Sequence, residues 1–177
     1  VNDHQRLDDS RLRQLAALGL VAGAVLGMAG TFAPYDALRA LAWGVDGSAL
    51  IVATALLAVH HLRRGNDLAA AGFLVFVVGE TLVVSGSAMT LEASRPSFAA
   101  GVALWSASLV LVSASSIMPL PVRGLGVLAA CLFAVVAVRI FLGDALTPLS
   151  APLPFLAYPF LAATLFGWAW SHYRGAP

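Results

Sequence analysis

The sequence predicts an all-α integral membrane protein, a six-transmembrane-helix bundle with both termini cytoplasmic. Three observations carry that expectation. The 177 residues are 60% hydrophobic and 11% charged, with a mean hydropathy of +0.88, whereas soluble chains carry about 25% charged residues and need them to hydrate a surface. Apolar runs of about 20 residues, the length that spans a bilayer, recur between stretches of polar residues, Pro and Gly. Finally, the arginines concentrate on alternate connectors, as retention of positive residues on the cytoplasmic side requires.

Taken in order, residues 1–11 form a short charged N-terminal segment, expected in the cytoplasm. The opening VNDHQRLDDSRLRQ interleaves acids with Arg, unlike the basic start of a secretory signal, and the apolar run from Leu15 has membrane length, so no signal peptide is expected. The six spans are expected over 12–32, 41–62, 68–89, 98–118, 122–142 and 152–170, within a membrane domain 12–173 followed by a tail 174–177. Connectors 33–40, 63–67, 90–97, 119–121 and 143–151 are too short for an extramembrane domain, which confines function to the membrane and its two surfaces. Arg6, Arg11, Arg13, Arg63, Arg64, Arg123 and Arg174 then share one side, against Arg39, Arg95 and Arg139 on the other. Trp43, Trp168, Trp170 and Tyr173 fall near span ends, where amphipathic rings favour the headgroup level, while Trp105 lies deeper and packs. Cys131 is the single cysteine, so an internal disulfide or a Cys-based metal site cannot be built, and its place in an apolar run reads as a buried small hydrophobe.

Gly19, Gly23 and Gly27 recur every four residues in the first span, with Gly30 one turn on. Such a stripe lets another helix approach closely, which supplies much of the attraction between helices in lipid; a narrow path lined by backbone uses the same lack of side chains. In the fourth span Ser106, Ser108, Ser113, Ser115 and Ser116 cover more than one face and read mainly as structural hydroxyls.

Charged groups inside the spans are the strongest functional signal. Glu80 sits about twelve residues into the third span, between Gly79 and Thr81. A central acid costs about 2.5 to 3.5 kcal/mol on insertion scales and is by default a proton relay or ion ligand; the competing account is a carboxyl that hydrogen-bonds a neighbouring helix. Asp46, in Gly44-Val45-Asp46-Gly47-Ser48, and Arg139, in VRIFLGD, lie at similar depth from the outer side, and a compensated pair between them is expected. His60 and His61 end the second span and His172 the sixth. Only one of the first two with His172 could present two imidazoles at matched depth, and no haem, metal or other cofactor is expected. GxGxxG, Walker, HExxH and Ser-His-Asp-like patterns are missing from the sequence, so an enzyme is not expected.

The stretch Arg63-Arg64-Gly65-Asn66-Asp67-Leu68-Ala69-Ala70-Ala71-Gly72-Phe73-Leu74-Val75-Phe76 resembles the acetate/succinate permease family of the YaaH type. Gly65, Asn66 and Phe73 match the family pattern, and Phe76 falls where the family has Tyr. Leu18-Gly19-Leu20 looks like the end of its Asn-Pro-Ala-Pro-Leu-Gly-Leu segment, and Leu104-Trp105 falls where it often shows Leu-Trp. The sequence departs from the family in that Gln14-Leu15-Ala16-Ala17 replaces Asn-Pro-Ala-Pro, Gly23 stands at a constriction Phe, and Gly79-Glu80 replaces Phe-Trp. The resemblance implies six membrane helices, a ring of protomers and a path for small carboxylates, with Phe73 and Phe76 narrowing it and Asn66 at its cytoplasmic mouth.

Two functions are weighed. The first is a transporter or channel for a small carboxylate, acetate-like or succinate-like and proton-coupled through Glu80. The second is a non-transporting structural subunit of a larger respiratory or photosynthetic membrane complex. The expected partners are the lipid bilayer and either further copies of the chain, as a homo-oligomer, or other membrane subunits. A net charge of +1 argues neither for nor against nucleic acid, and no nucleic-acid partner is expected. The expected location is the bacterial inner (cytoplasmic) membrane.

Overall fold

The computed structural model describes residues 3–86, 89, 91–143 and 152–175, with side chains of 3–8, 91 and 152–156 outside the description. The side chain of Arg6 and most of the expected connector 143–151 therefore lie outside the described residues. The described residues form six helices: α1 (Asp3–Thr31), α2 (Asp36–Arg63), α3 (Asp67–Gly86), α4 (Leu91–Ala114), α5 (Leu120–Phe141) and α6 (Pro152–Arg174). Five contain segments long and apolar enough to cross a membrane, namely Asp9–Thr31, Asp36–Arg63, Asp67–Gly86, Glu92–Ala114 and Leu120–Phe141. Several helices start earlier than the hydropathy pattern suggests. The charged N-terminal residues continue α1, helped by the Asp9–Arg13 pair one turn apart, N to O 3.8 Å.

Each helix packs against its neighbours in sequence, and α6 closes the set against α1. Short connectors give such a ring of alternating helices naturally, because consecutive antiparallel helices are the easiest partners to bring together. The beginning of α1 and the end of α6 lie at the same end of the ring, where the Arg13 guanidinium donates to the His172 carbonyl at 3.3 Å. The outer surface is apolar, with Leu18, Val52, Leu74, Val110 and Val138 all exposed. A face of this kind finds its solvent in hydrocarbon rather than water.

Helix contact depends on small residues. A Cβ at Gly19 would stand 2.8 Å from the Ala53 Cβ and 3.0 Å from the Ala49 carbonyl oxygen, and one at Gly23 would overlap Leu50, so α1 lies flush on α2. A Cβ at Gly79 would stand 2.9 Å from the Gly101 carbonyl oxygen, so α3 and α4 touch through their backbones. Close approach of this kind is how helices attract in lipid. Among the α4 hydroxyls, Ser106 donates across to the Ala130 carbonyl of α5 at 2.8 Å, while Ser115 turns back to Val112 at 2.6 Å.

Two expectations about side-chain direction are corrected. Cys131 faces outward rather than inward, because the inward face of α5 runs through Gly126, Ala129, Ala130, Phe133, Val136, Ala137 and Ile140. Trp168 is not at the headgroup level but 1% exposed in the core, in phase with Leu161, Leu165 and His172, whereas Trp170 and Tyr173 point outward.

Candidate functional site

The interior of the ring holds three layers that succeed one another along its axis: a polar cluster at the end shared by the termini, a stack of aromatic rings, and a pair of buried acids. The polar cluster is positioned by the end of α2. There the Asn66 N–H donates to the His61 carbonyl at 2.9 Å, and the Gly65 N–H to the Leu62 carbonyl at 3.1 Å. With Gly65 at φ +72°, this is a Schellman stop, which needs a residue without Cβ strain at its left-handed position. The stop aims the Asn66 side chain back at His61, Nδ2 to Nδ1 3.4 Å.

The three histidines of α2 and α6 meet at this end. His61 Nε2 and His172 Nε2 stand 2.9 Å apart, and His172 Nδ1 lies 2.7 Å from the Trp168 carbonyl oxygen. A carbonyl only accepts, so His172 Nδ1 carries a hydrogen, and with both rings neutral His61 Nε2 must donate to His172 Nε2. His61 Nδ1 then accepts from Asn66, and the run of hydrogen bonds has one direction. Two imidazoles on opposite sides of one iron would hold their nitrogens about 4 Å apart, at about 2 Å per metal–nitrogen bond; the His61–His172 pair is instead a direct hydrogen bond.

His60, 3% exposed, turns the other way and donates from Nδ1 to Asp9 Oδ1 at 2.6 Å, while Arg64 Nη2 donates to Asp9 Oδ2 at 3.0 Å. Beside them opens a cleft of about 30 Å³ lined by Arg13, His60, His61, Arg64, Asn66 and His172, large enough for ordered water.

Below the cleft the rings begin. His61 stacks on Phe73 with centroids 5.5 Å apart. Phe73 and Phe76 both meet Trp168 edge-on, at 5.1 and 6.1 Å, and Phe76 stacks on Trp105 at 6.0 Å. Trp105 in turn contacts Phe133 at 5.5 Å and Tyr158 at 6.2 Å. Phe73, Phe76, Trp105, Phe133 and Trp168 are all buried at 1% exposure or less. Together they close the axis with rings from α3, α4, α5 and α6.

At the far side of this plug lie Asp46 of α2 and Glu80 of α3, 4% and 2% exposed. Glycines make the room: a Cβ at Gly27 would stand 2.8 Å from Asp46 Oδ2 and 3.2 Å from Tyr158 Cε1, and one at Gly47 would stand 3.1 Å from Glu80 Oε1. Asp46 Oδ1, Glu80 Oε2 and Trp105 Nε1 make no hydrogen bond among the described residues. Buried polar atoms left this way cost about 1 to 3 kcal/mol each, and three of them fall within this one layer. Beyond it, Trp43 fills the space over Gly30 and donates to the Gly27 carbonyl at 3.3 Å.

The structure thus brings together Phe73, Phe76 and Glu80 along the axis, with Asn66 at one mouth and Gly23 and Gly27 on the α1–α2 contact. It does not bring Asp46 to Arg139. Asp46 faces inward on α2, which packs against α1 and α3; Arg139 is exposed on α5, which packs against α4 and α6, and no ion pair joins the two among the described residues. Matched depth was the right clue to neither partner, since Val136, Ala137 and Ile140 claim the inward face of α5. Tyr158, Trp168 and Asp9 were missed because their apolar or charged neighbours in sequence gave no sign of the direction they point.

The fold and interior define a multi-spanning helical membrane protein with ionisable groups buried along its axis. Comparison with protein-family models, with curated proteins and with solved structures finds no match to this chain.

Proposed function

We propose that the chain is a membrane transporter that moves a small carboxylate together with protons through the axis of the ring. The observation that carries this reading is that two acids, Asp46 and Glu80, are buried on the adjacent helices α2 and α3, each with an unpartnered oxygen. Acids held inside a membrane bundle at such cost are typical of proton pathways. The cationic and hydrogen-bond-donating mouth favours an anionic solute, the aromatic plug acts as the gate between mouth and acids, and the resemblance of 63–76 to acetate/succinate permeases favours acetate as the first cargo to test. On this reading both termini face the cytoplasm, because the arginine-rich end carries them. Solute and proton meet in order: the anion enters past Asn66 and His61, and the gate of Phe73, Phe76 and Trp168 must part before it reaches the acids.

The test is uptake of labelled acetate into proteoliposomes under an imposed pH gradient. Glu80→Gln keeps the shape and removes the exchangeable proton, so gradient-driven uptake falls at least about tenfold, equivalent to about 1.4 kcal/mol, while the variant elutes and unfolds like the parent. Gradient-driven uptake that survives both Glu80→Gln and Asp46→Asn overturns the proposal. One observation favours the other reading, a structural subunit of a larger complex: the axis is filled with rings rather than open. Gentle extraction from native membranes with stable redox or pigment partners would select that role.

A further inference from the structure

We infer that the outer rim of α6, α1 and α2, at the end that carries the termini, binds an anionic phospholipid, with its phosphate among Arg174, Arg11 and Arg63 and its acyl chains along the apolar faces below them. The inference rests on the membrane location of the bundle and is independent of transport. The three helices are consecutive around the ring, since α1 packs on both α2 and α6. Their ends are drawn together from inside: Arg64 of α2 reaches Asp9 of α1 at 3.0 Å, and Arg13 of α1 reaches the His172 carbonyl of α6 at 3.3 Å. Arg11, Arg63 and Arg174 stand one or two positions from these residues in sequence, yet all three are exposed. Successive residues turn about 100° around a helix, so neighbours that face the interior leave these three on the outer surface. Arg11 and Arg63 make no ion pair among the described residues, and Arg174 holds its guanidinium over the Trp170 ring, 4.0 Å from the centroid.

Each of these arginines heads an apolar stripe on the outside of its helix. Leu15 and Leu18 follow Arg11, Val59 and Val52 precede Arg63, and Trp170 and Phe166 precede Arg174, all of them exposed. Their spacings keep each set on one helical face. A guanidinium at the end of such a stripe stands at headgroup level above a surface that acyl chains cover. The charge is also one-sided. At the same end, α3, α4 and α5 present no exposed arginine among the described residues: Arg123 turns in to donate to the Ser113 carbonyl at 2.6 Å, and the exposed charge at the start of α3 is Asp67. Retention of arginines on the cytoplasmic side selects an end of the bundle and not a sector of its circumference, so it does not account for this concentration. A basic residue near an anionic leaflet strengthens attraction about fivefold. Guanidinium also offers phosphate two parallel hydrogen bonds, and stacking on Trp170 leaves the N–H edge of Arg174 free to make them.

The test offers the full chain, in detergent, an equimolar mixture of phosphatidylglycerol and phosphatidylcholine with matched acyl chains, and reads the retained lipids by native mass spectrometry. The parent should retain phosphatidylglycerol at least about tenfold over phosphatidylcholine, as expected from two or more such arginines. Arg11→Gln, Arg63→Gln and Arg174→Gln together should bring the two lipids to parity, and each alone should lower the preference part of the way. If the triple variant does not fold, the single variants carry the test. Arg39→Gln, at the opposite end of the bundle, should keep the preference. Equal retention of the two lipids by the parent, a preference undiminished in the arginine variants, or its loss in Arg39→Gln overturns the inference. Displacement of phosphatidylglycerol by soluble glycerol phosphate at equal concentration overturns it as well, because the site would then take a free anion rather than a lipid.

Discussion

Two glycines of α1 press equally hard on α2, yet only one of them touches the acids, and this makes a paired test. A methyl at Gly19 meets Ala53 Cβ at 2.8 Å and a backbone carbonyl oxygen at 3.0 Å; a methyl at Gly27 meets Asp46 Oδ2 at 2.8 Å, with Tyr158 Cε1 at 3.2 Å. Neither Ala53 nor a helix backbone can turn aside, so Gly19→Ala must push α1 and α2 apart by about half an ångström, an overpacking that costs about 1 to 3 kcal/mol. The Asp46 carboxylate sits at the end of a side chain with two torsions. It can swing away from Gly27→Ala, so that variant loses less stability, below about 1 kcal/mol. Swinging away, however, moves Asp46 relative to Glu80 and Tyr158, and displacements of that size at a reacting centre cost about 100-fold. The two substitutions should therefore separate: Gly19→Ala unfolds earlier but retains proton-driven uptake per folded molecule, whereas Gly27→Ala stays folded and loses most of it. Thermal unfolding in detergent and acetate uptake in proteoliposomes measure the two halves. Full uptake by Gly27→Ala, or the same loss of uptake in both variants, would refute a positional role for Asp46.

Gly65→Ala places a Cβ at φ +72°, which costs about 1 to 2 kcal/mol in the left-handed region; the same change should weaken the hold of Asn66 on His61, and a variant as stable as the parent would rule out the Schellman account. A spin label on Cys131, exposed on the outside of α5, should be relaxed by oxygen and not by a water-soluble nickel chelate, because that face meets hydrocarbon; the reverse accessibility would remove α5 from the bilayer.

Much of the fold was legible in the chain. Unbroken runs of about 20 apolar residues with few charges are satisfied in lipid, and at that length the backbone satisfies its own hydrogen bonds as a helix rather than as a shorter, alternating barrel strand, so the membrane class and the succession of helices follow from composition and run length. The glycine repeat of α1 was legible as a surface of close approach because its period of four keeps it on one helical face. Glu80 was legible as an acid held within the membrane bundle because it lies deep in an apolar run whatever its neighbours in space. Helix ends were less so: charged residues such as Asp9 and Arg13 prolong α1 through pairs that hydropathy does not register.

The sequence by itself determined the solvent, the secondary structure and the depth of each ionisable group, since these are properties of one segment against its surroundings. Only the tertiary structure decided which groups meet. Successive residues point about 100° apart around a helix, so an Asp46 that could equally face α5 or α3 is turned to Glu80 only by the packing of α1 on α2 through Gly23 and Gly27. In the same way His60, His172 and Asp9 come from the ends of three different helices, and nothing short of closing α6 against α1 brings them to one mouth.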